Sequence, residues 1–148
     1  MNEIDFDILK LAGQGFCCSQ IMLQLALDTQ GTANPGLIRA MSGLCHGMAS
    51  NMGPCGVLTG GLCLLAYHAG KGHAGEEASD QLPLLLSEFE DWFRQTAGQR
   101  FSGIACADIV TDGSPDPQVC GGLLAAAYQY ALGLLIDNGF DPAAPPAS

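Results

Sequence analysis

A chain of 148 residues, 48% of them hydrophobic, is long enough to bury one core and too short to expect two. Fifteen acidic side chains against five basic ones leave a formal charge of −10, which argues against unassisted binding to DNA, RNA or anionic lipid, since each of these needs a basic face. Residues 1–10 hold three acids and no basic stretch ahead of an apolar one, so no secretory signal is expected and the expected location is the cytoplasm.

No strand-like alternation of useful length occurs, whereas helical periodicity recurs throughout, so the expected fold is all-α: a compact bundle of about six or seven helices with a buried C-terminal helix. Residues 1–140 are expected to form a single four-cysteine domain. In the first helix Ile4, Ile8, Leu11 and Ala12 make an amphipathic face that stops at Gly13-Gln14-Gly15. A second helix, over 16–30, turns Ile21 and Leu25 inward and ends at Gly31. Asn34 and Pro35 are a cap and first position for a third, whose apolar set Leu37, Ile38, Met41, Leu44, Cys45 and Met48 falls on one stripe.

The fourth helix, over 54–69, is rich in glycine, which lets a neighbouring backbone come close; it ends in the loop Gly70-Lys71-Gly72-His73. Asp80 can cap a fifth helix that tolerates Pro83 in its first turn and carries the core stripe Leu82, Leu85, Leu86, Phe89, Trp92 and Phe93. Ser102 caps a short helix to Val110, and 112–117 is a turn-rich link. Asp116 and Pro117 open the last helix, apolar nearly all round to Asn138-Gly139. The tail, 141–148, is expected to be disordered. The uncharged runs 40–70 and 117–136 approach the length of membrane spans, yet Asn51, Pro54 and several glycines interrupt the first and Gln118, Gln129 and two tyrosines the second. Both read as buried helices of a soluble protein with no membrane partner.

One stretch stands apart: residues 42–61, SGLCHGMASNMGPCGVLTGG, gather glycine, cysteine, histidine and methionine into a single uncharged run. Gly53-Pro54-Cys55 reads as a helix mouth, with Cys55 in the first turn, where unpaired N–H groups favour the thiolate. The same pattern repeats. Cys18, Cys55, Cys106 and Cys120 each fall in or just after an expected first turn. If those mouths converge, several sulfurs share one pocket of N–H groups, a site suited to a cluster, a soft metal or exchangeable dithiols. Seven cysteines is a high and odd count, and without export metal, cluster or redox use outranks a disulfide scaffold. Free cysteines also simply pack, which is the reading for Cys45 and Cys63 on their apolar stripes. No CxxC pair and no CxxCH is present, so no haem is expected. The paired glycines lack a strand-to-helix context, so no nucleotide is expected either.

These residues resemble the C_GCAxxG_C_C family, whose members are described as redox-active and occur largely in anaerobic bacteria and archaea. The likeness covers roughly residues 16–135 and rests on Cys18-Ser19-Gln20, Ser42-Gly43 with Gly47-Met48, the block Cys55-Gly56-Val57-Leu58-Thr59-Gly60, and Cys106 and Cys120. Here Cys55 precedes Gly56, and Val57 takes the place of the family's Ala. The resemblance implies a helical domain whose four cysteines are redox-active or bind an iron–sulfur cluster, as in the similar domain that accompanies split-Soret cytochromes. Cys17, Cys45 and Cys63 lie outside that set.

Three functions follow. The first is electron transfer to a redox partner protein through an iron–sulfur cluster on Cys18, Cys55, Cys106 and Cys120. A second is a cluster-free thiol–disulfide protein using two of the same cysteines. The third is a soft-metal or protein-binding module drawing on Met41, Cys45, His46, Met48, Met52 and Cys55, of which Cys45 and His46 could also add to the metal set. His68 and His73 are expected to be solvent-exposed. No enzyme motif is present, although Cys120 beside two glycines could act as a nucleophile. Glycine-rich helices are compatible with a homodimer.

Overall fold

The computed structural model describes residues 2–110 and 116–146, and among these it contains seven α-helices and no β-strand. Helix α1 (Glu3–Gly13) starts at a reciprocal cap, in which the Asn2 side chain accepts the Asp5 N–H and the Asp5 carboxylate accepts the Asn2 N–H. Helix α2 (Cys18–Gln30) has Cys17 at its cap, with the Cys17 N–H donated to Gln20 Oε1. It stops at Gly31, whose φ of 70° is one glycine accommodates freely. Helix α3 (Pro35–Met41) follows Asn34, whose side chain accepts the Leu37 N–H. Helices α4 (Gly56–Ala69), α5 (Leu82–Gly98), α6 (Cys106–Ile109) and α7 (Pro117–Asp137) complete the bundle. The expected link over 112–117 lies largely outside the described residues. The end of the tail, 147–148, does too, while Asp141 folds back in a turn through bonds from the Ala143 and Ala144 N–H groups.

Three boundaries depart from the periodicity. The stripe expected to run from Leu37 to Met48 breaks after Met41: one 3₁₀ turn (Ser42–Leu44) leads to an extended Cys45 and then to left-handed His46, Gly47 and Met48. A stripe predicts spacing but not where the chain must leave it. The fourth helix begins at Gly56 rather than Pro54, because Pro54 is held in an antiparallel bridge to Ala105. That bridge also shortens the helix expected after Ser102 to the four residues of α6.

The centre of the fold is α2 laid on α4, with α5 and α7 against the other sides of α4 and α1 against α7. Glycine sets that closeness. A Cβ on Gly60 would lie 3.0 Å from the Ser19 Cα and 3.0 Å from the Met22 Cβ, and one on Gly56 would lie 3.1 Å from the Ser19 N. At Gly61 a Cβ would enter the ring of Phe89, which with Phe93 is fully buried on α5. Trp92 stacks on Tyr130 of α7 with centroids 4.6 Å apart. Helix α7 buries one face, Leu123 to Leu135, and turns Ala126, Gln129 and Ile136 outward.

Gly60→Val should therefore push α2 away from α4, lowering unfolding free energy by about 1–3 kcal/mol in urea titration. Gly133→Ala, in α7 with no atom within 4 Å of the new methyl, should raise it by up to about 1 kcal/mol. Equal effects from both would show that the glycine contacts between α2 and α4 do not set the packing.

Candidate functional site

The segments that carry Cys55 and Cys106 are fastened to one another before either becomes helical. Cys55 N–H donates to the Ile104 carbonyl at 2.7 Å, Cys106 N–H donates to the Gly53 carbonyl at 3.0 Å, and Ala107 N–H reaches the Asn51 carbonyl at 3.2 Å. The turn behind this bridge is drawn tight by the Gly53 N–H donating to the Gly47 carbonyl at 3.0 Å. Gly47, at φ 74°, has no room for a side chain: a Cβ there would lie 2.8 Å from the Cys106 Cβ and 2.9 Å from the Gly53 carbonyl oxygen. His46, Met48 and Asn51 in the same loop also hold positive φ (58°, 64° and 64°), an arrangement that costs on the order of 1–2 kcal/mol per residue and persists only where the surroundings impose it.

Cys18 joins from the other side. It is the first residue of α2, and the bare Gly56 allows that helix start to sit on the start of α4, since a Cβ on Gly56 would come within 3.3 Å of the Cys18 Cβ. Cys120, in the opening turns of α7, lies close enough to Cys18 for each to be the largest influence on the other's pKa. All four sulfurs thus come from helix starts, on α2, α4, α6 and α7, and all four residues line one cavity of about 230 Å³. Its other wall is apolar, formed by Ile8, Phe16, Ile21, Ile109 and Leu124 among others, and Cys17 and His46 lie at its edge. Among the described residues no three His, Cys, Asp or Glu side chains are drawn to the spacing of a single metal ion.

Electrostatics separate the four. Burial pushes the Cys55 pKa up to about 11; Cys55 is the N-cap of α4 without a side-chain cap bond, and the nearby Val57 and Leu58 N–H groups, which favour the thiolate, do not offset that burial. The expectation that the helix start would ionise Cys55 is corrected on this point. Cys18 is pushed far up, first because it is the proton donor to Cys120, then by burial and by the three neighbouring sulfurs. Burial and Cys120 also raise Cys106. Cys120 moves the other way, down to about 7, because it accepts the Cys18 proton and a backbone bond at Asp116, which together exceed the cost of its partial burial and of the Asp116 carboxylate. Of the four cysteines, Cys120 is the one whose pKa is lowered.

Cys45 does not pack as a free thiol; it is joined to Cys17 in a disulfide with Cα atoms 5.7 Å apart, because α3 ends early and swings Cys45 toward the cap of α2. Sequence reasoning missed this pair. The signal was available in the count, since seven cysteines less the set of four leave three, and Cys17 adjoins that set directly. His46 is exposed beside the cavity. The Met-rich soft-metal set is dispersed: Met41 is in the core, Met52 is 73% exposed, and Cys45 has no free thiol. Cys63 is free, half-buried against the core and raised by burial, in keeping with plain packing. His68, half-buried beside Gln30, is lowered by burial, whereas His73 is exposed near Glu76.

Compared with known proteins, residues 16–134 match the family model described as "Putative redox-active protein (C_GCAxxG_C_C)". No curated protein matches the chain, and no solved structure does.

At neutral pH and with the protein free of metal, iodoacetamide should modify Cys120 well before Cys63. The Cys120 rate should rise with pH through about 7, because the reactive form is the thiolate and its fraction grows as pH passes the pKa. Cys18→Ala removes the donor and should move that rise to higher pH, as peptide mapping of the alkylated cysteines would read. An unchanged profile in Cys18→Ala would remove the hydrogen bond as its cause.

Proposed function

The chain belongs to the C_GCAxxG_C_C family, and from that premise we propose that it is an electron-transfer protein whose centre is an iron–sulfur cluster held by Cys18, Cys55, Cys106 and Cys120. The observation that carries this reading is the gathering of four free cysteines, far apart in sequence and each at a helix start, around one largely apolar cavity. The donor set fits the group. Four cysteine sulfurs are the usual ligands of such clusters, backbone N–H groups at helix starts hydrogen-bond to sulfur, and an apolar wall keeps water away. A single zinc ion would need its sulfurs within about 2.3 Å of one point. A polynuclear core spreads its thiolates over several irons and so does not require them at one point.

Bound there, the cluster would supply reversible one-electron transfer. The chain's own part is to orient and protect. The Val57 and Leu58 N–H groups lie near the Cys55 sulfur, the bridge between Pro54 and Ala105 fixes Cys55 beside Cys106, and Ile8, Ile109 and Leu124 line the cavity with apolar surface. Because Cys18, Cys55 and Cys106 are protonated in the free protein, loading releases protons and is favoured by rising pH. A redox partner protein is the natural source or acceptor of the electrons.

A second reading is favoured by the nearness of Cys18 and Cys120, which line the same cavity and each dominate the other's pKa, as the two thiols of a dithiol couple would.

Protein prepared without oxygen should carry iron and acid-labile sulfide with visible absorption, all lost in Cys55→Ser and kept in Cys63→Ser. Iron and sulfide absent from the native protein even after reconstitution would end the cluster reading. In that event, loss of two thiols per chain on mild oxidation, abolished by Cys120→Ser, would establish the dithiol couple in its place.

A further inference from the structure

The disulfide between Cys17 and Cys45 stands apart from the four-cysteine set, yet it anchors the segment on which half of that set is mounted. Cys17 caps α2, and Cys45 opens the loop that leads to Cys55. At its far end the loop is held by backbone alone. Gly53 N–H donates to the Gly47 carbonyl, Cys106 N–H to the Gly53 carbonyl and Ala107 N–H to the Asn51 carbonyl. Between the two anchors His46, Met48 and Asn51 keep left-handed backbone, which residues other than glycine hold only where the surroundings impose it. The sulfur bridge is one of the constraints that impose it.

Opening that bridge would free a short stretch of chain. Helix α3 stays on α2 without it, because the buried Ser19 Oγ donates to the Met41 carbonyl at 2.9 Å and Gln20 Nε2 donates to the Ile38 carbonyl at 3.1 Å. The freedom gained therefore falls on the chain after Met41, through the 3₁₀ turn and on to Gly53. The bridge is also within reach of a reagent, since both of its cysteines are only half-buried and Ser42, Gly43 and His46 beside Cys45 are exposed.

We propose that the disulfide between Cys17 and Cys45 is a second redox site, opened by an external dithiol, and that it latches the backbone holding Cys55 and Cys106. A thiolate of the dithiol attacks Cys45 Sγ. A bond forms between the reagent and Cys45, the bond between Cys45 and Cys17 breaks, and the electron pair leaves on Cys17. The reagent's second thiol then attacks its own partner sulfur in the mixed disulfide, and the electron pair leaves on Cys45. The dithiol departs as a disulfide, oxidised by two electrons, and its two protons end on Cys17 and Cys45. With the bridge open the left-handed residues relax, Gly47 draws back from the Cys106 Cβ, and the bonds that set Cys55 beside Cys106 open more often. The latch acts through backbone and is independent of what the four cysteines bind.

Iron-free protein prepared without oxygen should label five of its seven cysteines with N-ethylmaleimide, and all seven after dithiothreitol with no denaturant present. Cleavage after Lys10, Arg39 and Lys71 identifies the pair that opened, because Cys17 lies on peptide 11–39 and Cys45 on 40–71. Amide hydrogen exchange is then read by mass in both states. Reduction should speed exchange about tenfold at the Gly53, Cys55, Cys106 and Ala107 amides and leave the buried centres of α4 and α5 at their original rates. Cys17→Ser combined with Cys45→Ser should show the fast pattern with or without dithiothreitol. A bridge that yields only in denaturant would overturn the redox site. Exchange unchanged on reduction would overturn the latch and leave Leu44, packed on the core, as the anchor of the loop. Equal acceleration in α4 and α5 would overturn it too, as a loss of global stability. None of these readings involves iron, so their failure leaves the cluster proposal standing.

Discussion

The site depends on one close approach, the first turn of α2 resting on the first turn of α4. It is possible only because Gly56 and Gly60 present bare backbone, against which the Ser19 backbone and the Cys18 Cβ come to rest. Any side chain at those positions would move α2 outward and take Cys18 away from Cys55. The second fastening, the antiparallel bridge between Pro54 and Ala105, does for Cys106 what the glycines do for Cys18. Backbone contacts, which no rotamer change can loosen, therefore set the relative positions of three of the four sulfur-bearing residues. The fourth, Cys120, is brought in by α7, which is itself held to α4, α5 and α1 by apolar packing.

Position at a helix start does not decide ionisation on its own. Cys55 sits at the N-cap of α4 with the Val57 and Leu58 N–H groups nearby, yet its pKa is raised because it is also the more buried residue. Cys120 has only partial burial to overcome and Cys18 beside it, and its pKa is lowered. The comparison weighs two opposed effects, desolvation of a charge against a few hydrogen bonds to it, and in this cavity burial wins wherever it is nearly complete.

Much of this was legible in the sequence, and the parts that were not share a cause. Caps and stops such as Asn34, Gly31 and Asp116 are local chemistry, so helix order and the placement of Cys18, Cys106 and Cys120 near helix starts could be read directly. Convergence of the four cysteines could be raised only as a question, because the answer depends on α2 meeting α4. What escaped were the features set by contacts between distant segments: the bridge that delays α4 by two residues, and the disulfide that takes Cys45 off its stripe. Hydrophobic spacing from Leu37 to Met48 fits a helix well. Its failure after Met41 reflects a tertiary demand, the return of the chain to Cys17 and to the bridge, which overrides local preference.

That demand explains where the strain lies. Between the disulfide at Cys45 and the bridge at Pro54, the loop has few residues in which to reverse direction, and three that are not glycine adopt left-handed backbone to do it. The same loop carries the Gly47 that presses on the Cys106 Cβ and the Gly53 whose carbonyl accepts the Cys106 N–H. One end of a strained segment is thus fixed by a sulfur–sulfur bond and the other by the backbone that positions two thiols. A change in bonding at Cys45 alters the boundary condition of that segment, and the residues that take up the difference are the ones against which Cys55 and Cys106 are set. A single short loop therefore joins the disulfide to the backbone that carries Cys55 and Cys106.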